Sequence, residues 1–140
     1  TYGGAVSFSL GRIEISNSTF KENVAALNGG AFFGQAIQMR LEDTQLGKNT
    51  SGENGGAMAI ISNDASPIHI FNSHFEDNDA RNGARFAGSA IFATNVNFPV
   101  VNAFKFKNSK ILRNSGENCD GVIGNSQNLG QNQVDDNSCF

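Results

Sequence analysis

Acidic side chains in the middle of the chain are the residues whose types could carry out acid–base chemistry. They are Glu42, Asp43, Asp64, Glu76, Asp77 and Asp79. Glycoside cleavage requires two carboxylates about 5 to 10 Å apart in a groove. Asp43 and Asp77 recur in a repeated sequence pattern and so have a structural explanation, which leaves Glu42 and Asp64 as the candidate catalytic pair. Because a catalytic cleft also needs longer loops and more turns than this chain offers, we predict that it is not an enzyme.

The histidines and the charge balance exclude several other kinds of site. His69 and His74 lie five residues apart with no cysteine nearby, a spacing that matches no common metal motif, so we predict neither a metal nor a cofactor. A formal net charge of -3 lacks the basic excess of a nucleic-acid-binding domain. No apolar run approaches the roughly 20 residues of a membrane-spanning helix, so no direct membrane span is predicted.

The elements that would position these side chains are sequence repeats. Gly-Gly-Ala occurs at residues 3–5, 29–31 and 55–57, in two steps of 26, and the variant Gly-Ser-Ala follows at residues 88–90. An eleven-residue pattern occurs between these markers in four gapless copies, which are Ile13 to Asn23, Met39 to Asn49, Ile68 to Asn78 and Phe104 to Asn114. Four copies of one pattern predict a fold built from stacked repeats.

Apolar and polar residues alternate at the start of each copy. The first position holds Ile13, Met39, Ile68 and Phe104, and the third holds Ile15, Leu41, Ile70 and Phe106. This period of two predicts a half-buried β-strand. Asn recurs at later positions, where its tolerance of left-handed backbone angles and its side-chain amide suit a corner. We therefore predict two stacked corner ladders. One contains Asn17, Asp43, Asn72 and Asn108, and the other contains Asn23, Asn49, Asn78 and Asn114.

A 26-residue repeat with several short strands cannot bury its apolar columns alone and must stack on copies of itself. We predict an all-β fold in which residues 1–140 form one domain, a single-stranded parallel β-helix, or solenoid, of about five turns. The turns cover about residues 3–28, 29–54, 55–87 and 88–118, and a degenerate closing turn covers residues 119–140. Stacking is also supported by one charged column, because opposite charges at strand spacing attract. Its members alternate in sign and are Glu22, Lys48, Asp77 and Arg113.

Four phenylalanines are predicted to give the coil an apolar outer face. They are Phe33, Phe71, Phe92 and Phe98. Because clusters of exposed aromatic rings mark contact surfaces, these residues are candidates for lateral contact with a neighbouring subunit. The alternative is that the longer segment at residues 92–102 folds over Phe71 and hides it.

The two ends of the predicted coil differ. The only two cysteines, Cys119 and Cys139, flank the closing turn. A disulfide between them would close a loop of about 20 residues and stabilise the fold by about 3 kcal/mol, and two free or buried thiols are the alternative. We favour the disulfide and, with it, an oxidising compartment. At the other end we expect exposed strand edges, covered either by a longer parent chain or by a subunit stacked head to tail.

The paired markers Gly-Gly-Ala-apolar and Phe-x-x-Asn resemble the polymorphic outer membrane protein repeats of bacterial surface proteins. The matching residues are 3–6, 29–32, 55–58, 20–23 and 75–78, whereas residues 46–49 and 111–114 keep the Asn and replace the Phe. The resemblance covers most of residues 1–118. It implies a right-handed β-helix that is secreted or displayed on a cell surface, used for adhesion and often cut from a longer precursor. It implies no catalytic residues.

Together these patterns predict a non-enzymatic structural or adhesive module, extracellular or on the cell surface, that self-associates or joins a filament or larger surface assembly. Its expected partners are other protein subunits, either copies of itself stacked head to tail or laterally or other chains, and surface carbohydrate. The alternative function is a carbohydrate-binding or polysaccharide-cleaving β-helix.

Overall fold

The computed structural model describes residues 1–62, 68–81, 88–95, 104–121 and 126–140. Across these residues the secondary structure is β-strand and turn, with no helix. The strands form three parallel sheets, here named A, B and C. Sheet A contains β1 (Val6–Ser16), β4 (Phe32–Glu42), β7 (Met58–Ser62), β8 (Ile68–Phe71), β11 (Ile91–Asn95), β12 (Phe104–Lys107), β14 (Cys119–Gly121) and β15 (Gln127–Asn128).

Sheets B and C close the coil behind sheet A. Sheet B contains β2 (Thr19–Lys21), β5 (Gln45–Gly47), β9 (His74–Glu76), β13 (Lys110–Leu112) and β16 (Gln133–Val134). Sheet C contains β3 (Val24–Ala25), β6 (Thr50–Ser51) and β10 (Asp79–Ala80). The chain therefore visits the three sheets in the same order in each of its first three turns, as a coil must.

The pairing register confirms the predicted β-solenoid. Ile13 pairs with Met39, Met39 pairs with Ile68, and Ile68 pairs with Phe104, so one column of the sequence pattern is one vertical column of the structure. All strand pairs among the described residues are parallel. Four turns are followed by a shorter closing turn, whose strands β14, β15 and β16 pair with the fourth turn.

The inward-facing columns form one continuous apolar core. Alternate residues of each strand point into the coil, where equivalent side chains of successive turns pack on one another. The largest fully buried side chains are Phe32, Ile37, Leu41, Leu46, Met58, Ile60, Ile68, Ile70, Phe75, Ile91, Phe106 and Ile111. These columns supply the apolar burial that no single repeat could achieve alone.

Two corners of the coil use left-handed backbone at non-glycine residues. The corner between sheets A and B has φ of 48°, 49°, 51° and 49° at Asn17, Asp43, Asn72 and Asn108. The corner between sheets B and C has φ of 57°, 55°, 55° and 54° at Glu22, Lys48, Asp77 and Arg113. Asn and Asp tolerate this region, which fits the first corner. The second corner places charged residues there, a conformation that the sequence pattern did not predict.

The third corner, between sheets C and A, requires glycine because successive turns approach closely. A Cβ built on Gly30 would lie 1.9 Å from the carbonyl oxygen of Gly56, and one built on Gly56 would lie 2.2 Å from that of Ser89. The residues that precede them, Gly29 and Gly55, have φ of 70° and 64°. The first glycine of the motif thus makes the turn and the second lets the next turn stack on it.

Differences in turn length fall at two places. One lies between Asn78 and Gly88, which are ten residues apart where Asn49 and Gly55 are six apart, and the other is a position within sheet A. In the second turn β4 runs without a break, and at the equivalent place in the first turn Leu10 and Gly11 have φ of 61° and 119°. In the later turns this position separates β7 from β8, β11 from β12, and β14 from β15. Residues 63–67, 96–103 and 122–125, which lie outside the described part of the chain, follow β7, β11 and β14.

A disulfide joins the two ends of the closing turn. Cys119 and Cys139 are bonded, with their Cα atoms 5.0 Å apart, and both are buried. Asp136 and Ser138 accept hydrogen bonds from the main-chain N–H groups of Asn118 and Cys119. The predicted disulfide is therefore confirmed, and the tail also caps main-chain groups at this end of the coil.

Candidate functional site

The carboxylates of the middle turns are engaged by neighbouring cations. Glu42 accepts hydrogen bonds from Nε and Nη2 of Arg40, at 3.0 and 2.9 Å. Glu76 contacts Arg113, and Asp77 lies 3.4 Å from Arg113 Nε. Asp64, the predicted partner of Glu42, lies outside the described residues. Among the described residues, these acids serve as partners in surface ion pairs.

The predicted outer aromatic residues do not form one cluster in the described part of the chain. Phe33 and Phe92 share a column of sheet A with Ala59 between them, and Phe71 lies in a different column, at the end of β8. Phe33 is only 7% exposed, and the ring of Tyr2 lies beside it, with 4.7 Å between the ring centroids. Phe71 and Phe92 are half-buried. Phe98 lies outside the described residues.

The corner between sheets B and C carries a continuous asparagine ladder. The side-chain oxygen of Asn49 accepts hydrogen bonds from the main-chain N–H and the side-chain amide of Asn23, and Asn78 and Asn114 accept the same pair from the turn before. The amides of Asn49 and Asn78 also donate to main-chain carbonyl groups. The predicted ladder is therefore confirmed, and its contacts are structural.

The ladder ends differently at the two ends of the coil. At the closing turn Asn114 donates to Asn118, which in turn donates to Asp135. Hydrogen bonds from the main chain of Arg113 and from the side chain of Asn118 hold the pKa of Asp135 below its usual value. At the first turn, the side-chain oxygen of Asn23 accepts no hydrogen bond from the described residues. The ladder is thus terminated at one end and open at the other.

The other corner ladder is only partly bonded. Asn108 donates its side-chain amide to the side-chain oxygen of Asn72, at 3.0 Å, and both residues are exposed. In the neighbouring charged column, Asp77 and Arg113 form an ion pair, whereas Lys48 forms none with Glu22 or Asp77. The alternating charges therefore give one close vertical contact, and such exposed pairs contribute at most about 1 kcal/mol.

A polar groove lies on the outer face of sheet A, across strands β1, β4 and β8. It has a volume of about 280 Å³ and is lined by Arg12, Gln38, Met39, Arg40 and His69. We call it the sheet A groove. The main-chain groups of Arg40 and His69 are paired to strands on both sides, whereas β1, which carries Arg12, pairs with β4 on one side. At Arg40 and His69, side chains alone define what the groove can bind.

Phe71 lies next to the sheet A groove and contacts two of its residues. The guanidinium carbon of Arg40 lies 5.0 Å from the ring centroid of Phe71, within the range of a cation–π contact. The ring of His69 stacks on the same phenylalanine with 5.5 Å between centroids. The ring of Phe71 therefore contacts both a guanidinium group and an imidazole on the surface of the coil.

His69 is the polar group of this face whose bonding is incomplete. Its Nε2 atom is shielded from solvent and has no hydrogen-bond partner in the described structure. Burial lowers the pKa of His69, and the positive charges of Lys105, Arg40 and Arg12 lower it further. His69 is therefore held in its neutral form, with one ring nitrogen unpaired beside the groove.

The charges of this face change from turn to turn. In the first two turns each arginine is paired with a glutamate two residues later, Arg12 with Glu14 and Arg40 with Glu42. In the fourth turn the positions equivalent to Arg40 and Glu42 hold Lys105 and Lys107, which form no ion pair with the described residues. Within an acidic chain, this part of sheet A therefore carries two unpaired positive charges.

Sequence reasoning did not identify this groove. The sequence pattern predicts a polar column of Glu14, Arg40, His69 and Lys105, and the strand register confirms it. The positive charge of the groove becomes visible only when this column is compared with the next outward column. The sequence does contain a signal for this positive charge, because Glu14 and Glu42 of the first two turns have no acidic equivalent in the later turns. The contact of Arg40 with Phe71 runs diagonally between columns, so column-by-column alignment does not reveal it.

His74 occupies a second, smaller groove on sheet B. The groove has a volume of about 210 Å³, and Gly47 at its centre leaves a gap in the outward column. Burial lowers the pKa of His74, Lys110 and Arg113 lower it further, and Asp77 opposes them. Because His69 and His74 lie on different sheets, they do not share a site.

The described residues lack two further features. They contain no group of three or more His, Cys, Asp or Glu side chains placed to hold a metal ion. They also contain no helix of the length and apolar character that crossing a membrane requires.

Comparison of the chain with protein-family models, with curated proteins and with solved structures gave no match. The coarse assignment to repeat-built parallel β-solenoids rests on the strand register described above.

Proposed function

We propose that this chain is a non-enzymatic structural module of a secreted or cell-surface assembly, in which copies stack head to tail through the first and closing turns. The support comes from the two ends of the coil, from the ion pairs of its side walls, and from the disulfide.

The observation that carries the proposal is where the exposed apolar side chains lie. Among the described residues, the large hydrophobic side chains with substantial exposure all belong to the two end turns. They are Tyr2, Leu10 and Val24 at 48%, 75% and 68% in the first turn, and Leu129 and Phe140 at 47% and 38% in the closing turn. Exposed apolar groups concentrated in this way mark contact surfaces, and here they favour contact along the axis of the coil.

The first turn also offers unpaired backbone. Among the described strands β1 pairs only with β4, so one edge of its eleven residues lacks a partner there. Ile13 and Ile15 are only half-buried, whereas Met39 and Leu41, which lie beneath them, are at most 3% exposed. A further parallel turn stacked here would complete this burial, pair the edge and reach the free oxygen of Asn23. Such a head-to-tail contact extends a filament unless rotation closes it.

A structural role for the carboxylates is supported by Glu42 and Glu76, each of which contacts an arginine on the side wall of the coil. Secretion is supported by the disulfide, which persists in oxidising compartments, and by the resemblance to bacterial surface repeats.

The experiment is sedimentation velocity over a range of protein concentrations, combined with electron microscopy. We expect concentration-dependent association into rods. The double variant Leu10→Asn with Val24→Lys should remain folded and stay monomeric, because it removes exposed apolar groups from the first turn and adds a charge beside its unpaired edge. The matched control, Ile61→Asn with Leu112→Lys, makes the same changes on outward-facing positions of the side walls and should assemble like the parent. A parent chain that stays monomeric, or lateral sheets instead of rods, would overturn head-to-tail stacking.

A further inference from the structure

We propose that the sheet A groove, together with Phe71, Lys105 and Lys107, binds an acidic polysaccharide, that is, a sugar chain bearing carboxylate or sulfate groups. This inference concerns the side wall of the coil and does not depend on the stacking of its ends.

The charge pattern provides the first argument. Lys105 and Lys107 have no acidic partner among the described residues, and Arg12 and Arg40 each meet only one carboxylate, which leaves further N–H groups of each guanidinium free. The chain as a whole has a net charge of -3, so this local positive surface runs against its overall charge. A ligand with repeated negative charges would be complementary to it.

The geometry of the face provides the second argument. The outward column from Glu14 through Arg40 and His69 to Lys105 spans three inter-strand steps of about 4.8 Å, or about 14 Å in all. Within this column Arg40 and Lys105 lie two steps, or about 10 Å, apart on either side of His69, a distance that an extended oligosaccharide can bridge. A rigid sheet holds these two cations in place, which reduces the entropy lost on binding.

Phe71 and His69 provide the third argument. The half-buried ring of Phe71 offers an apolar surface beside the cations, suited to the C–H face of a sugar ring. The ring of His69, which stacks on Phe71, supports this apolar surface from beside it.

Two other classes of polyanion fit the face less well. An acidic peptide that binds by strand addition needs a free sheet edge, and the free edge nearest this groove is that of β1, three strands away from Lys105. Single-stranded nucleic acid is bound on platforms where successive bases stack on several aromatic rings, whereas one ring, Phe71, adjoins this groove among the described residues. A sugar chain needs only the charges, the single apolar surface and the hydrogen-bonding groups present.

The experiment measures binding of the intact chain to immobilised heparin, which is sulfated, to polygalacturonate, which is carboxylated, and to neutral dextran. We expect binding to one or both acidic polymers, weakening as salt is raised, and none to dextran. Lys105→Gln with Lys107→Gln should weaken binding roughly tenfold, and Phe71→Leu by a factor of about three. The control Lys21→Gln with Lys110→Gln removes the same charge from sheet B and should bind like the parent.

Competitors separate the remaining explanations. Poly-glutamate and single-stranded DNA, added at equal charge concentration, should displace the polysaccharide poorly. Equal displacement would show a general polyanion surface and overturn the assignment to sugar, as would equal losses in the sheet A and sheet B variants. The double variant Leu10→Asn with Val24→Lys should retain binding, so failure of end-to-end stacking and failure of this proposal give different results.

Discussion

The side-chain oxygen of Asn78 accepts two hydrogen bonds from Asn49, one from its main-chain N–H and one from its side-chain amide, both 3.0 Å long. Asn78 also donates to the carbonyl oxygen of Leu46 and to Asn114, and it is fully buried. One side chain thus connects three successive turns, whereas Asn23 contacts only the turn below.

This difference predicts unequal effects of removing the two amides. Asn78→Ala should reduce the free energy of unfolding by about 3 kcal/mol, because it leaves buried donors and an acceptor of the neighbouring turns unpaired. Asn23→Ala should cost about 1 kcal/mol, because this residue is half-buried and its oxygen is unused. Urea unfolding of the three proteins measures both values. Equal losses in the two variants would contradict the structural role assigned to the middle of the ladder.

Substitution by alanine should have very different effects at Gly56 and at Gly47. Gly56→Ala should destabilise the fold by about 3 kcal/mol, because the new Cβ would lie 2.2 Å from the carbonyl oxygen of Ser89 in the next turn. Gly47→Ala places its Cβ in an open gap on sheet B, no closer than 3.8 Å to Glu76, so stability should be unchanged or slightly higher. Thermal and urea unfolding compare the two variants. A tolerated Gly56→Ala would mean that successive turns are farther apart than the structure shows.

The histidines predict a loss of stability on mild acidification. The pKa values of His69 and His74 are lowered in the folded protein, chiefly by burial, so the unfolded chain binds protons more readily. The groups facing His69 are Lys105, Arg40 and Arg12, and those facing His74 are Lys110, Arg113, Asp77 and Glu76. Stability should therefore be full above the unfolded pKa of about 6.5 and decrease as the pH falls below it.

Urea unfolding at about pH 7.5 and about pH 5.5 tests this expectation, within a range where most carboxylates remain charged. The variant His69→Gln with His74→Gln should show a flatter dependence between the same two values. A parent protein that becomes more stable at the lower pH would contradict the direction of both pKa shifts.

The sequence predicted the features that repeat. Ile13, Met39, Ile68 and Phe104 align without gaps, and stacking converts such alignment directly into strand register. The buried Asn ladder followed from recurrence in the same way. Both predictions succeeded because in a solenoid each residue has its equivalent in the next turn as its nearest neighbour.

Features outside the repeat could not be predicted in this way. Tyr2 covers Phe33 because the chain entering the first turn lies against its outer face, and nothing in the pattern places it there. The left-handed backbone at Lys48 has no signature in residue type, since lysine does not favour that region. The contact between Arg40 and Phe71 depends on how far a long side chain reaches across columns, which alignment does not encode.

The uneven connections within sheet A bear on how this protein could be altered. Five residues separate the described ends of β7 and β8, and eight separate those of β11 and β12, yet the strands on both sides keep their register. The fold thus accommodates connections of different length at this position without disturbing the stack. Peptide epitopes or affinity tags grafted between Ser62 and Ile68 should be displayed on the solenoid while its pairing is preserved.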